Sequence, residues 1–328
     1  MNAVVTARGR PLAALVRIEH AILCVAVAAL ATLSVLVLAA PGSFDLPRLV
    51  AGTDLGTVVA GTCVYTLGHV FRFLRLALLT YRGGVRLRRV LQVHLLTAGL
   101  AVMLPFKLSD LVRVRGVGVV LDDVRAGIVT VWLERALDAA VLTVLIGVCA
   151  AAVPGSLELL TPLLVVLCVF VALTAVLLTI VPPNLRLVML HVLRREGSER
   201  DVKALVALRQ VLATIRPAPD LLRGRAATLV LLSVLIWGAE VAAVSVAVPG
   251  IGAELSQLST GLLSLLSSVS SGATALFPSS GERLSEALVR VGTGSGDVSA
   301  YRAVLTITPL IAGTIGGVAY LRRLGGVG

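Results

Sequence analysis

The stretch 104-LPFKLSDLVR-113 decides how this chain is read. It follows 90-VLQVHLLTAGLAVML-104, fifteen mostly apolar residues. At 1.5 Å per residue such a helix reaches about 22 Å, short of a hydrocarbon core of about 30 Å. Pro105 breaks the run, and Lys107, Asp110 and Arg113 follow. Backbone that stops inside a membrane is tolerated only where protein or a watery cavity surrounds it. A helix beginning after Pro105 would aim its N-terminal N–H groups and positive dipole end inward, which suits an anion. Lys107 and Arg113 add full charge, and an arginine can grip a phosphate through two bonds. Asp110, three residues before Arg113, is placed to hold that side chain. The competing reading is a surface hairpin whose basic side chains snorkel to water.

Composition supplies the setting. The chain of 328 residues is 57% hydrophobic and 14% charged, with a mean hydropathy of +0.99. Those values exceed what a soluble domain shows and predict a polytopic, all-α membrane protein. The net charge of +11 sits in basic segments between apolar runs. That pattern fits anionic headgroups better than nucleic acid, so no nucleic-acid partner is expected. Cys24, Cys63, Cys149 and Cys168 lie in apolar runs without a CxxC pair. The four histidines, including His69 and His94, lack ligand spacing, so neither a metal nor a cofactor is expected.

Six full crossings are expected, at about 20–40, 51–71, 126–153, 158–181, 226–248 and 300–321. Arg8, Arg10 and Arg17 precede the first, which is longer than a cleaved signal peptide's core and reads as a retained anchor. Segments 90–104 and 258–277 are expected to be re-entrant, the first too short and the second carrying eight Ser/Thr residues and two glycines in twenty. Arginine asymmetry orients the whole. With the N-terminus in the cytoplasm, that side holds 72–89 with six arginines, 182–225 with nine Lys/Arg, and Arg322 and Arg323. Outer loops 41–50 and 154–157 hold Arg48 alone. Both termini would be cytoplasmic, in a bacterial cell membrane.

The two short segments end alike, at Leu104-Pro105 and Phe277-Pro278, 173 residues apart. Each half then reads as span, span, re-entrant hairpin, span. Repeat 1 covers about 20–153 and repeat 2 about 158–321 of a single membrane domain, 1–328. Three crossings per half would invert the second repeat, an architecture recurrent in transporters. The competing explanation is chance similarity of apolar filler. The connector 182–225 is expected to contain an amphipathic helix after a capping box at Ser198 and Asp201, ending at Pro217. It would lie on the inner membrane surface or pack on the bundle.

Charges within spans cost roughly 2.5–3.5 kcal/mol each near a helix centre and therefore pair or line a polar path. In 132-WLERALDAA-140, Glu134 and Asp138 are neighbours, as are Arg135 and Asp138. They read either as a self-paired cluster or as carboxylates orienting Arg135 towards a polar cavity. Glu240 in the fifth span is expected to pair with Arg302 of the sixth, or else to carry a proton.

At these residues the chain resembles the transmembrane, flippase-like region of the lysylphosphatidylglycerol synthase family. The resemblance rests on Leu104-Pro105, Lys107, Ser109-Asp110 and Arg113, then Glu134-Arg135-x-x-Asp138. In the second half it rests on Pro278, Gly281 and Glu282, with Glu286 close behind. Ser109 stands where the family commonly has glycine, and Ser279-Ser280-Gly281 replaces a glycine run. The family's fused aminoacyl-transfer domain is not expected within these 328 residues, because no stretch outside the spans is long enough to hold it, so lysine transfer is not expected from this chain alone.

The resemblance implies a transporter moving an anionic phospholipid or a lipid-linked sugar phosphate between leaflets. Lys107, Asp110, Arg113, Glu134, Arg135, Asp138, Glu282 and Arg302 would bind the substrate. The alternative is a non-transporting, lipid-binding accessory subunit of a membrane glycosyltransferase or lipid-modifying enzyme. A homodimer is left open. An enzyme is not expected, because no nucleophile–base pair or metal-ligand cluster stands in the polar segments.

Overall fold

The computed structural model describes residues 27–28, 55–81, 85–103, 108–152, 156–194, 199–247 and 295–324. Every element among them is helical: α1 Leu55–Thr80, α2 Leu87–Met103, α3 Leu108–Leu121, α4 Val124–Ala152 and α5 Ser156–Thr179, then α6 Val181–Leu193, α7 Glu199–Ile215, α8 Pro217–Leu222, α9 Ala226–Ala247 and α10 Ser295–Leu324.

Leu104–Lys107, most of the first expected span and the whole 251–294 region lie outside the described residues. So do the second expected hairpin with Glu282, and the proposed cap at Ser198. Within the described part, Val59–Thr80 and Ala226–Ala243 are long and apolar enough to cross a membrane. Leu163–Thr179 joins them if it continues through a 49° bend into Val181–Leu193. The count of six is therefore not reached within these residues. α4 has the length, at 29 residues, but carries Glu134, Arg135 and Asp138 along its middle.

The molecule has the polarity of a membrane protein. Val165, Val166, Val169 and Leu173 of α5 stand exposed, while Arg75, Arg113, Glu134 and Glu240 are buried. A lipid surround accepts apolar outer faces at no cost and drives charges to pair inside.

α2 and α3 form an antiparallel hairpin. A Cβ on Gly116 would stand 2.8 Å from Val93 Cγ1, and one turn away Arg113 reaches Thr97. α3 then folds back onto α4 through a tight turn. Asp122 adopts φ 55°, and the Asp123 N–H donates to the Gly118 carbonyl at 2.9 Å, closing α3 in a Schellman arrangement. The Asp123 carboxylate accepts from the Arg125 N–H and caps α4. Gly127 permits the close return, since a Cβ there would lie 2.4 Å from the Val114 carbonyl oxygen.

α9 packs antiparallel on α1, and α10 on α2. The second contact is backbone against backbone: a Cβ on Gly313 would meet Gly99 Cα at 2.4 Å, and one on Gly316 would meet Leu96 N at 2.8 Å. Small residues let membrane helices approach this closely.

One expected boundary is corrected. The second span does not end at 71 with 72–89 as a cytoplasmic loop; α1 continues to Thr80. Arg72 and Arg75 therefore lie on the helix interior, and Arg75 is 2% exposed. The physical reason is that each has a carboxylate opposite it, so neither needs water.

Candidate functional site

Apolar clusters bracket a polar band in the centre of α4. On one side Val129 and Leu133 pack with Leu79 and Leu229. On the other, Val141, Leu142 and Ile146 pack with Trp237. Between them α4 presents Glu134, Arg135 and Asp138 on consecutive turns; α1 and α3 bring charge to meet it, and α9 brings Trp237 and Ser233.

Glu134 receives Arg113 in a two-bond grip, Nε to Oε2 at 2.8 Å and Nη2 to Oε1 at 2.9 Å. Both side chains are buried. Arg113 Nη1 also donates to Thr97 Oγ1 at 3.1 Å and makes a long contact of 3.5 Å with His94 Nδ1. Arg135 is gripped by Asp110, Nε to Oδ2 at 2.9 Å and Nη2 to Oδ1 at 2.5 Å. Asp138 is the shared acceptor. Arg75 Nη1 and Nη2 donate to it at 2.6 and 3.1 Å, Trp237 Nε1 at 3.3 Å, and Arg135 Nη1 lies 3.5 Å away. Arg75 Nη1 donates as well to Ser233 of α9 at 2.7 Å, and its Nε stands 3.9 Å from Glu134. Arg72 forms a salt bridge with Glu240.

The hairpin and α4 charges are thus brought together, in a different pairing from the one expected. Asp110 does not hold Arg113; it holds Arg135. Glu134 does not orient Arg135; it faces Arg113 and Arg75. In an antiparallel α3–α4 hairpin, opposition across the interface outweighs neighbourhood along one helix. Glu240 pairs with Arg72, because α9 lies against α1 along its length, and its expected partner, the Arg302 side chain, lies outside the described residues. Lys107 and Glu282 fall outside the described residues, and Arg302 is placed only as part of α10.

Six residues that carry this arrangement were absent from the expected set: Arg72, Arg75, His94, Thr97, Ser233 and Trp237. Arg72 and Arg75 were visible as a pair three apart, the spacing of one helix face. The histidines have no ligand spacing in sequence, yet His69 and His94 come within 5.8 Å between ring centres. Among the described residues no group of three His, Cys, Asp or Glu side chains is arranged to hold a metal.

Charge is balanced. Arg72, Arg75, Arg113 and Arg135 meet Asp110, Glu134, Asp138 and Glu240. The Arg75–Asp138 and Arg113–Glu134 pairs are closed in the interior, the Arg72 side chain is 21% exposed, and at one end the Arg135 side chain is 40% exposed and Asp110 22%. An anion could reach that end without crossing the buried core.

The family model for the lysylphosphatidylglycerol synthase TM region matches residues 21–324. The chain belongs to that family. The match runs through both halves, so the polar band lies inside the membrane region of this lipid-related family and not in an appended segment. No curated protein and no solved structure matches the chain.

Proposed function

We propose that this member of the lysylphosphatidylglycerol synthase TM family moves an anionic lipid between leaflets, without catalysing a reaction. The substrate would be a phospholipid or a lipid-linked sugar phosphate. The observation that carries this reading is the half-open Arg135–Asp110 pair at the edge of an otherwise buried, charge-balanced band. A carboxylate gripped through two bonds occupies the guanidinium face that a phosphate would use. Exchange of one anion for the other preserves the bonding of Arg135 while the acyl or prenyl chains remain in lipid. Arg113 and Arg75, the next cations inward, give the headgroup a succession of partners.

Lys107, Glu282 and Arg302 belong to the proposal as further lining residues, the last two from an inverted second repeat. Both termini are placed in the cytoplasm of a bacterial cell on the arginine asymmetry, which survives the transfer of Arg72 and Arg75 to the interior.

Reconstitution into vesicles with a headgroup-labelled anionic lipid tests the reading. Label should become accessible from the opposite leaflet with the wild-type chain and not with Arg135→Ala. A wild-type chain that binds the lipid but leaves it in one leaflet would be the accessory subunit instead.

A further inference from the structure

The charge balance of the polar band raises a question of neutrality that the Arg135–Asp110 exchange leaves open. An arriving phosphate adds a negative charge, and each of Arg72, Arg75, Arg113 and Arg135 already has a carboxylate partner, so Lys107 and Arg302 of the proposed lining would share the task of meeting it with any other group that can take up positive charge. Charge left unbalanced in such a place is expensive. A group able to accept a positive charge beside the arginines would remove that cost.

His94 is placed to do so. It lies on α2 and is 2% exposed. A guanidinium has no acceptor, so in its contact with Arg113 the His94 Nδ1 must be the acceptor and the ring proton must sit on Nε2. That Nε2 is buried without a hydrogen-bond partner, as is Nε2 of His69 on α1. Buried polar atoms of this kind are uncommon and call for an explanation.

The surroundings of the pair are mostly cationic. Arg113 from α3 and Arg72 from α1 act on both rings, and His69 acts on His94. Tyr65 of α1 stands edge-on to His69 at 4.9 Å between ring centres, and the His69 backbone makes a polar contact with His94 that falls short of full hydrogen-bond geometry at Nε2. The nearest carboxylates are engaged elsewhere, Glu134 of α4 by Arg113 and Glu240 of α9 by Arg72. α10, also packed on α2, brings Tyr320 to the apolar cluster around Val93.

We infer that His94 is a proton-binding site coupled to headgroup binding, so that phosphate and proton enter the polar band together. The inference rests on the lipid-phosphate reading given above. The proton would go to His94 Nδ1, the atom now accepting from Arg113. Proton and guanidinium contact exclude each other there, so protonation frees an N–H of Arg113. A phosphate oxygen inserted between the two then accepts from Arg113 Nη1 and from the imidazolium. Without the anion, protonated His94 would stand against Arg113 unpaired. Without the proton, the anion would bring unbalanced charge. Each therefore favours the other.

The experiment uses the full-length wild-type chain in detergent with two probes, short-chain phosphatidylglycerol and a short-chain prenyl phosphate. Binding is measured by calorimetry in buffers of differing ionisation enthalpy, which counts protons. The expected result is uptake of about one proton per lipid, with affinity rising at a limiting slope of ~tenfold per unit fall in pH. His94→Asn, whose amide oxygen can still accept from Arg113 but holds no proton, should bind with no uptake and a flat pH profile. Binding of either probe by the wild type without proton uptake overturns the coupling and leaves the lipid reading standing. Uptake that persists in His94→Asn also overturns it, because the proton site is then elsewhere. Failure of the wild type to bind either probe overturns the lipid-phosphate reading and this inference with it. The wild-type proton count stands even if the variant does not fold.

Discussion

Asp110 and Arg135 face each other across the α3–α4 hairpin, joined by two hydrogen bonds of 2.9 and 2.5 Å between positions 25 apart in the chain. The pair lies at the edge of the buried band, so its loss should cost little structure. Arg135→Ala is expected to fold, with a stability loss of about 1 kcal/mol or less, as for other half-exposed pairs. Transport should fall by at least about tenfold, the worth of one lost charge-assisted contact of ~1.5–3 kcal/mol. Leaflet exchange in vesicles and melting in detergent give the two readings. Normal exchange by this variant would remove Arg135 from the path.

Arg113 should behave differently. Removing it by Arg113→Ala leaves Glu134 buried with only the distant Arg75 Nε at 3.9 Å, a loss expected to cost about 3–5 kcal/mol. The paired change Arg113→Met with Glu134→Leu should recover most of that stability, because both charges leave together. It should not recover transport. A double variant that transports would mean the pair serves only to close the bundle.

The α2–α10 contact makes a packing prediction. Gly313→Ala forces a methyl group onto the Gly99 backbone, and should destabilise by about 1–3 kcal/mol as overpacking does. Gly147 has nothing within 4 Å of a built Cβ, so Gly147→Ala is the matched control. Thermal melting of the two variants side by side decides it; equal melting points would show that the helices part readily there.

Orientation is checked by labelling. In a background from which Cys63 and Cys168, both exposed, and the other two cysteines have been replaced, a cysteine at Ser198 should react only from the cytoplasmic side. One at Ser156 should react only from outside. Reaction of Ser198 from outside would invert the proposed topology.

The separation of α2 from α3 was readable because a short apolar run followed by Asp and Arg has few other uses in a membrane; Pro105 itself lies outside the described residues. The family motif Glu134-Arg135-x-x-Asp138 was equally readable, being local. What sequence concealed was partnership. Which carboxylate meets which arginine depends on the register of antiparallel helices, and here that register is held by glycines 116, 118 and 127. Arg72 and Arg75 were misplaced because an arginine near a span end looks the same in sequence whether it leans to water or meets Glu240 or Asp138. His94 carried no signal at all, since a lone histidine acquires meaning only from what folds against it.

Asp138 accepts from Arg75 of α1 and Trp237 of α9, and touches Arg135 of its own helix. Three positions far apart in the chain thus depend on one carboxylate. Their substitutions will show epistasis: the effect of changing any one will depend on what stands at the others. Evolution faces the same coupling. A lineage can keep the set or abandon it, but single steps between leave a buried charge exposed to its neighbours, so these positions should be inherited as a block.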